Sequence, residues 1–141
     1  MKRLLLVDDE QNVLHALVRT LRSCYRDQVA FETFTNPYEA LKRCSLTEFD
    51  VVISDYRMLE LTGVEFLAAL QQVAPDTVRI MLTASTEFGT VSSAINEAGV
   101  FRFLSKPWDE TSLRAALDAS FEQRAKLVRE REERSLLGVK R

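Results

Sequence analysis

Apolar and polar positions along this chain fall into short blocks that alternate between two periods. Arg3 to Val7 is a brief apolar run closed by Asp8, Asp9 and Glu10, too short for a helix and suited to a strand buried on both faces. From Glu10 the period lengthens. Val13, Leu14, Leu17, Val18 and Leu21 recur at helical spacing and leave Arg19 and Arg22 to solvent, which predicts a helix. The alternation continues through strand-like Val29 to Phe34, helical Pro37 to Cys44, strand-like Val51 to Ser54, and helical Val64 to Val73 with Phe66, Leu67 and Leu70 inward. It closes with strand-like Arg79 to Thr83, a helix from about Glu87 to Ala98, strand-like Phe101 to Ser105, and a last helix opening near Thr111.

Strands alternating with helices in this way predict an α/β fold, a doubly wound parallel sheet of five strands with five helices distributed over both faces. Punctuation agrees: Asn36-Pro37, Pro75-Asp76 and Gly99 fall between periodic blocks, and Thr62-Gly63-Val64-Glu65 has the spacing of a capping box at a helix start. The last helix runs on through Glu122 to Lys126 and Arg129 to Arg134, longer than packing on five strands requires. Glu122 with Lys126 and Glu130 with Arg134 are favourable i,i+4 pairs, worth a few tenths of a kcal/mol each. Residues 1–120 are therefore read as one domain and 121–141 as a helical extension. A heptad register aligns only Phe121, Val128 and Ser135, so a linker helix leading to an output domain is preferred to a dimerising coil.

Composition narrows the function. With 141 residues, 46% of them apolar, the chain can bury one core. A net charge of −2 and a pI near 5.5 supply no global positive field for nucleic acid or anionic lipid. No apolar run spans a bilayer, and the acids from Asp8 onward end the first run too early for a signal peptide. Cys24 and Cys44 lack C-x-x-C spacing and read as thiols of a reducing compartment, so the expected location is the cytoplasm.

In an open parallel sheet, ligands bind at the carboxyl ends of the strands. The predicted strand ends carry Asp8-Asp9, Asp55, Thr83 and Lys106, three acids with a hydroxyl and an amine on one rim. Neighbouring carboxylates repel, and a hard divalent cation with oxygen ligands relieves that repulsion; Mg2+, which binds through few carboxylates and keeps several waters, suits phosphoryl chemistry.

Four segments, Leu6-Val7-Asp8-Asp9-Glu10, Asp50 to Asp55, Thr83-Ala84 and Phe103-Leu104-Ser105-Lys106-Pro107, stand in an order and at intervals that resemble a response-regulator receiver domain of two-component signalling over about residues 2–120. The resemblance implies a flavodoxin-like strand order 2-1-3-4-5. It also implies Asp55 as phosphoacceptor, Asp9 as a direct Mg2+ ligand, Asp8 acting through metal-bound water, and the Arg57 carbonyl as a backbone ligand. Thr83 and Lys106 would grip the phosphoryl oxygens, Thr83 and Phe103 would form the switch, and the Lys106-Pro107 bond would be cis. The donor would be a sensor histidine kinase or a phosphotransfer protein. An output domain or effector, and a second copy of the chain, are the further partners implied. Chemistry would be limited to self-catalysed phosphorylation and dephosphorylation, with no separate enzymatic activity.

Two features depart from the family pattern. Many receivers carry proline four residues after the acceptor and methionine two beyond it, where this chain has Leu59 and Leu61, which implies a less rigid loop. Arg57 and Ser85 occupy variable positions that tune phosphate lifetime. The run Phe101 to Leu104 followed by Lys106-Pro107-Trp108-Asp109 looks more like receivers fused to cyclic-dinucleotide or other enzymatic output domains than to transcription factors.

Plainer readings exist residue by residue. Asp9 in isolation reads equally as a cap of the following helix, Thr83 as a strand-end hydroxyl, Lys106 as a surface lysine, and Phe103 as core. His15 lies mid-helix and is assigned no role, and Trp108 is placed at the edge of the site or on a partner surface. An aspartyl phosphatase of the haloacid dehalogenase type would need a second acid two residues after the nucleophile, where Arg57 stands. A flavodoxin would need a neutral hydroxyl-rich loop in place of Asp8-Asp9-Glu10. A degenerate receiver acting purely as an interaction module is the remaining alternative.

Overall fold

The structure is a computed structural model that describes residues 1–84 and 98–138. Its elements are β1 (Lys2–Val7), α1 (Gln11–Tyr25), β2 (Val29–Phe34), α2 (Pro37–Leu46), β3 (Val51–Asp55), α3 (Gly63–Val73), β4 (Val78–Ala84), β5 (Arg102–Lys106) and α4 (Glu110–Leu136). The helix expected from about Glu87 lies outside the described residues except for Ala98, as does Ser85. The five strands pair in the order β2-β1-β3-β4-β5 and every pair is parallel, the order implied by the family resemblance.

Alternation within each strand divides the core into two layers. On β1, Leu4 and Leu6 join Leu14, Leu17 and Leu21 of α1 and Leu113, Leu117 and Phe121 of α4. Leu5 and Val7 face the other side, with Phe66, Leu67 and Leu70 of α3 and Ala40 and Cys44 of α2. Because successive side chains point to opposite faces, a strand covered on both sides must be apolar at every position, and Leu4 to Val7 and Val51 to Ile53 are.

Helix starts are set by local chemistry. Asn36 accepts from the Tyr38 amide at 2.8 Å with Pro37 opening the first turn, and Thr62 and Glu65 exchange both bonds of a capping box at 3.1 Å. Asp109 accepts from the Ser112 amide at 2.7 Å and starts α4 slightly earlier than the periodicity indicated.

The 27 residues of α4 make a rod of about 40 Å. Its inward stripe, Leu113, Ala116, Leu117, Ser120 and Phe121, is continued by a charged residue, Arg124, which is also buried. The Arg124 guanidinium donates to Asp50 Oδ1 at 3.2 Å, Glu48 Oε1 at 3.0 Å and the Asp76 carbonyl at 2.9 Å. Two turns on, Arg131 meets Glu48 at 2.6 Å and Asp76 at 3.4 Å. Asp50 accepts in addition from the Arg3 amide at 2.7 Å, so one carboxylate joins the amino ends of β1 and β3 to α4.

Both cysteines are buried and free, and burial pushes the Cys44 thiol up to about 12, which removes it from thiolate chemistry at neutral pH. Among the described residues no helix is long and apolar enough to cross a membrane.

Candidate functional site

The carboxyl ends of β1, β3, β4 and β5 lie side by side because the strands are parallel and in register: Val7 pairs with Ser54, Asp55 with Leu82, and Ala84 with Lys106. This geometry gathers Asp8, Asp9, Asp55 and Lys106 from positions far apart in sequence. One oxygen from each of the three carboxylates lies within 4.8 Å of the others. Asp8 is 2% exposed and Asp55 5%, whereas Asp9 is half-buried at the mouth.

Lys106 sits between the two buried acids, its Nζ 2.7 Å from Asp55 Oδ1 and 3.1 Å from Asp8 Oδ2. One ammonium cannot neutralise three carboxylates. Burial holds the Asp8 carboxyl above the usual range, with the Glu10 amide and Lys106 opposing. Burial, reinforced by the Asp8 charge and opposed by Lys106, pushes Asp55 up to about 6. Burial also works against the Lys106 charge, but the bonds and charges of Asp55 and Asp8 prevail and raise its ammonium above the ordinary lysine value. A pocket of hard oxygen donors in which burial, and then neighbouring charge, raises Asp8 and Asp55 fits a divalent cation such as Mg2+.

The remaining predicted residues are placed as follows. Thr83 is fully buried next to the end of β4, and its hydroxyl donates to the Ala84 carbonyl at 3.3 Å. Phe103 is half-buried in β5, opposite Met81, and packs on the α3 side of the sheet. Arg57 is exposed in the loop after β3, with its guanidinium over the Tyr56 ring at 5.8 Å. The Lys106-Pro107 peptide is cis. Trp108 is half-buried and its indole donates to Thr20 Oγ1 of α1 at 3.3 Å, and Arg102 is exposed with its guanidinium 4.1 Å from the Phe101 ring centroid. His15 is exposed on α1 and shares a contact of 3.0 Å with Gln11.

The capping alternative for Asp9 is not what the structure contains. Glu10 is the N-cap of α1 and offers no side-chain cap, while Asp9 Oδ2 accepts from the Leu59 amide across the pocket at 3.1 Å. Asp8 is the residue that serves the helix entrance, accepting from the Glu10 amide at 2.9 Å.

Residue-type reasoning missed Gly63. A Cβ built there would fall 2.2 Å from the Asp55 carbonyl oxygen, so only glycine lets the start of α3 press against the acceptor strand. Its amide closes the loop by donating to the Tyr56 carbonyl at 2.8 Å. The signal was available, since a glycine opening a helix just after a functional strand end marks a close backbone approach.

Comparison with known proteins agrees with this geometry. A family model described as the response regulator receiver domain matches residues 4–118. The transcriptional regulatory protein GlrR of Escherichia coli (strain K12) is 37% identical over 130 residues, covering 91% of this chain and 28% of that protein. The chain spans between 21% and 28% of the length of the first such relatives. Among solved structures, the signal receiver domain of an HD domain-containing protein from Pseudomonas fluorescens Pf-5 superposes with a TM-score of 0.81 at 31% identity, covering 89% of this chain and 98% of that one. The beryllofluoride-activated NtrC4 receiver domain dimer gives 0.78 at 28% identity, covering 88% and 99%. Parallel strand order, converging acids and a lysine at the end of β5 thus meet an independent sequence match over most of the chain, and the protein belongs to the response regulator receiver domain family.

Proposed function

We propose that this chain takes a phosphoryl group onto Asp55 from a phosphohistidine of a sensor histidine kinase or phosphotransfer protein, using Mg2+ held by Asp8, Asp9, Asp55 and the Arg57 carbonyl. The observation that carries the reading is the cluster of three carboxylates, two of them bridged by Lys106. An Asp55 carboxylate oxygen attacks phosphorus, the bond from phosphorus to the donor nitrogen breaks, and the imidazole leaves. Lys106, already at Asp55, turns its ammonium to the transferred oxygens, and the Thr83 hydroxyl donates to them. Burial of Asp55 excludes bulk water from the new acyl phosphate. Bound Mg2+ supplies positive charge to the transferring oxygens.

The test is intact-mass measurement after incubation with acetyl phosphate. A gain of one phosphoryl group that requires Mg2+ and is lost in Asp55→Asn is expected; a gain retained in that variant would move the acceptor elsewhere. No gain in a chain that binds no Mg2+ would favour the degenerate interaction module.

Thr83 and Phe103 are the proposed switch. A hydroxyl drawn toward the new phosphoryl group leaves space that the half-buried Phe103 ring enters, which reshapes the face around β5 and α4 for a partner. The Phe103 ring resonances are expected to shift on saturation with beryllofluoride and to shift much less in Thr83→Ala; equal shifts in both proteins would uncouple the pair.

Residues 1–120 are proposed as the receiver and 121–141 as a helical connection to an output domain, with an effector protein and a second copy as the other candidate partners. Transcriptional regulators among the relatives and an HD domain-containing protein among the structural neighbours mark two kinds of output. No enzymatic activity beyond phosphoryl uptake and release, no nucleic-acid contact and a cytoplasmic location complete the proposal.

A further inference from the structure

Among the described residues, backbone hydrogen bonds hold the loop between β3 and α3 at its base and at its tip. At its base, the Tyr56 amide donates to the Leu82 carbonyl at 2.9 Å, the Gly63 amide donates to the Tyr56 carbonyl at 2.8 Å, and Gly63 lies against the Asp55 backbone. At its tip the anchor is the bond of 3.1 Å from the Leu59 amide to Asp9 Oδ2. The Leu59 side chain contributes nothing to that anchor, being 94% exposed. What ties the loop down is a backbone N–H, the group that a proline at this position would lack.

Asp9 belongs to the trio of acids whose oxygens converge. A carboxylate that binds a cation through one oxygen is oriented by a hydrogen bond to the other, and such outer partners commonly govern metal affinity. Asp9 has Oδ2 engaged in that way, and the same contact holds the segment that carries the Arg57 carbonyl.

We infer that the Leu59 amide is a positioning group for the metal site: it anchors Asp9 through Oδ2, presents Oδ1 to the cation and holds the Arg57 carbonyl over the same pocket. This rests on the reading of Asp8, Asp9 and Asp55 as the Mg2+ site. Rigidity that a proline ring would build into the loop covalently is here supplied by a hydrogen bond to one of the metal ligands, so loop order and cation binding reinforce each other.

The experiment is titration of the full chain with MgCl2 alone, followed by amide chemical shifts, for wild type, Leu59→Ala and Leu59→Pro. Leu59→Ala keeps the N–H and is expected to bind like wild type. Leu59→Pro removes it and is expected to bind Mg2+ about 10-fold more weakly. In wild type the Leu59 amide is expected to exchange slowly with solvent both before and after Mg2+ saturation, a measurement that needs no variant to fold. Equal or tighter binding by Leu59→Pro would overturn the inference, as would loss of Leu59 protection on Mg2+ saturation, which would mean that Asp9 releases the loop to take the metal. Absence of any Mg2+ response in wild type would instead overturn the metal-site reading on which the inference stands.

Discussion

Asp55→Asn is expected to take up no phosphoryl group from acetyl phosphate and, in metal-free solution near neutral pH, to be more stable than wild type by about 1–2 kcal/mol. Both effects come from one carboxylate. The first removes the nucleophilic oxygen. The second follows from the position of Asp55 between Asp8 and the core, where burial pushes its pKa up to about 6 from the ordinary 3.8. Between those two values the folded protein binds more protons than the unfolded chain, so stability falls as pH rises through that window. The penalty is fully present above the folded pKa and absent below the unfolded one. Asparagine carries no charge and escapes it. The gain is held below the full value of the shift because Lys106 loses an ionic partner at 2.7 Å. Urea unfolding of both proteins in chelator, near pH 7.5 and again near pH 4, checks the argument: the advantage of the variant should shrink at the lower pH. A pH-independent advantage would assign it to packing.

The second large effect is expected far from the pocket. Arg124→Ala should cost about 2–4 kcal/mol, because it removes a charged donor from Asp50 and from the Asp76 carbonyl at a site where the arginine is 8% exposed. Arg131→Ala should cost less, about 1 kcal/mol, since Arg131 is 40% and Glu48 56% exposed and water replaces that pair, which leaves the longer contact of 3.4 Å with buried Asp76 as the main loss. Denaturant midpoints separate the two, and hydrogen exchange adds location: Arg124→Ala should speed exchange in α4 beyond Phe121 before it affects β1 or β3. A cost for Arg131→Ala as large as that for Arg124→Ala would show that the longer contact with buried Asp76 weighs as much as the Arg124 bonds. Glu48 is held below the usual carboxylate range by Arg131 and then Arg124, so acidification should loosen this end of α4 as Glu48 protonates.

Most of the architecture was readable from one-dimensional patterns because the forces involved are local or periodic. Leu4 to Val7 is apolar at every position, and such a run between acids and basic residues has few uses other than a strand covered on both faces. Thr62 and Glu65, and Asn36 with Pro37, mark helix starts through bonds that span a single turn. The pocket was readable for a different reason. In a parallel sheet every strand end lies on one rim, so Asp8, Asp55 and Lys106 were bound to approach one another once the strands were located.

Charges along α4 were harder to interpret. Alternating Arg and Glu beyond Asp118 look like a solvated face, since a charge pattern carries no mark of which members will be desolvated. The one sign was positional: Arg124 falls where the stripe of Leu117 and Phe121 calls for its next inward residue. Its partners, Glu48 and Asp50, are more than 70 residues away in sequence, and nothing short of the folded sheet brings them together.

Sequence by itself determined the strands and the described helices, their parallel assembly and the identity of the acids and lysine on the rim, because apolar period, capping chemistry and strand-end position are properties of neighbouring residues. Only the tertiary structure decided that Lys106 bridges Asp8 and Asp55, that Gly63 must lack a side chain to pass the Asp55 carbonyl, that the Leu59 amide holds Asp9, and that Arg124 binds α4 beneath the sheet. Each of these is a contact of a few ångströms between segments far apart along the chain, and such a distance is set by how whole elements pack.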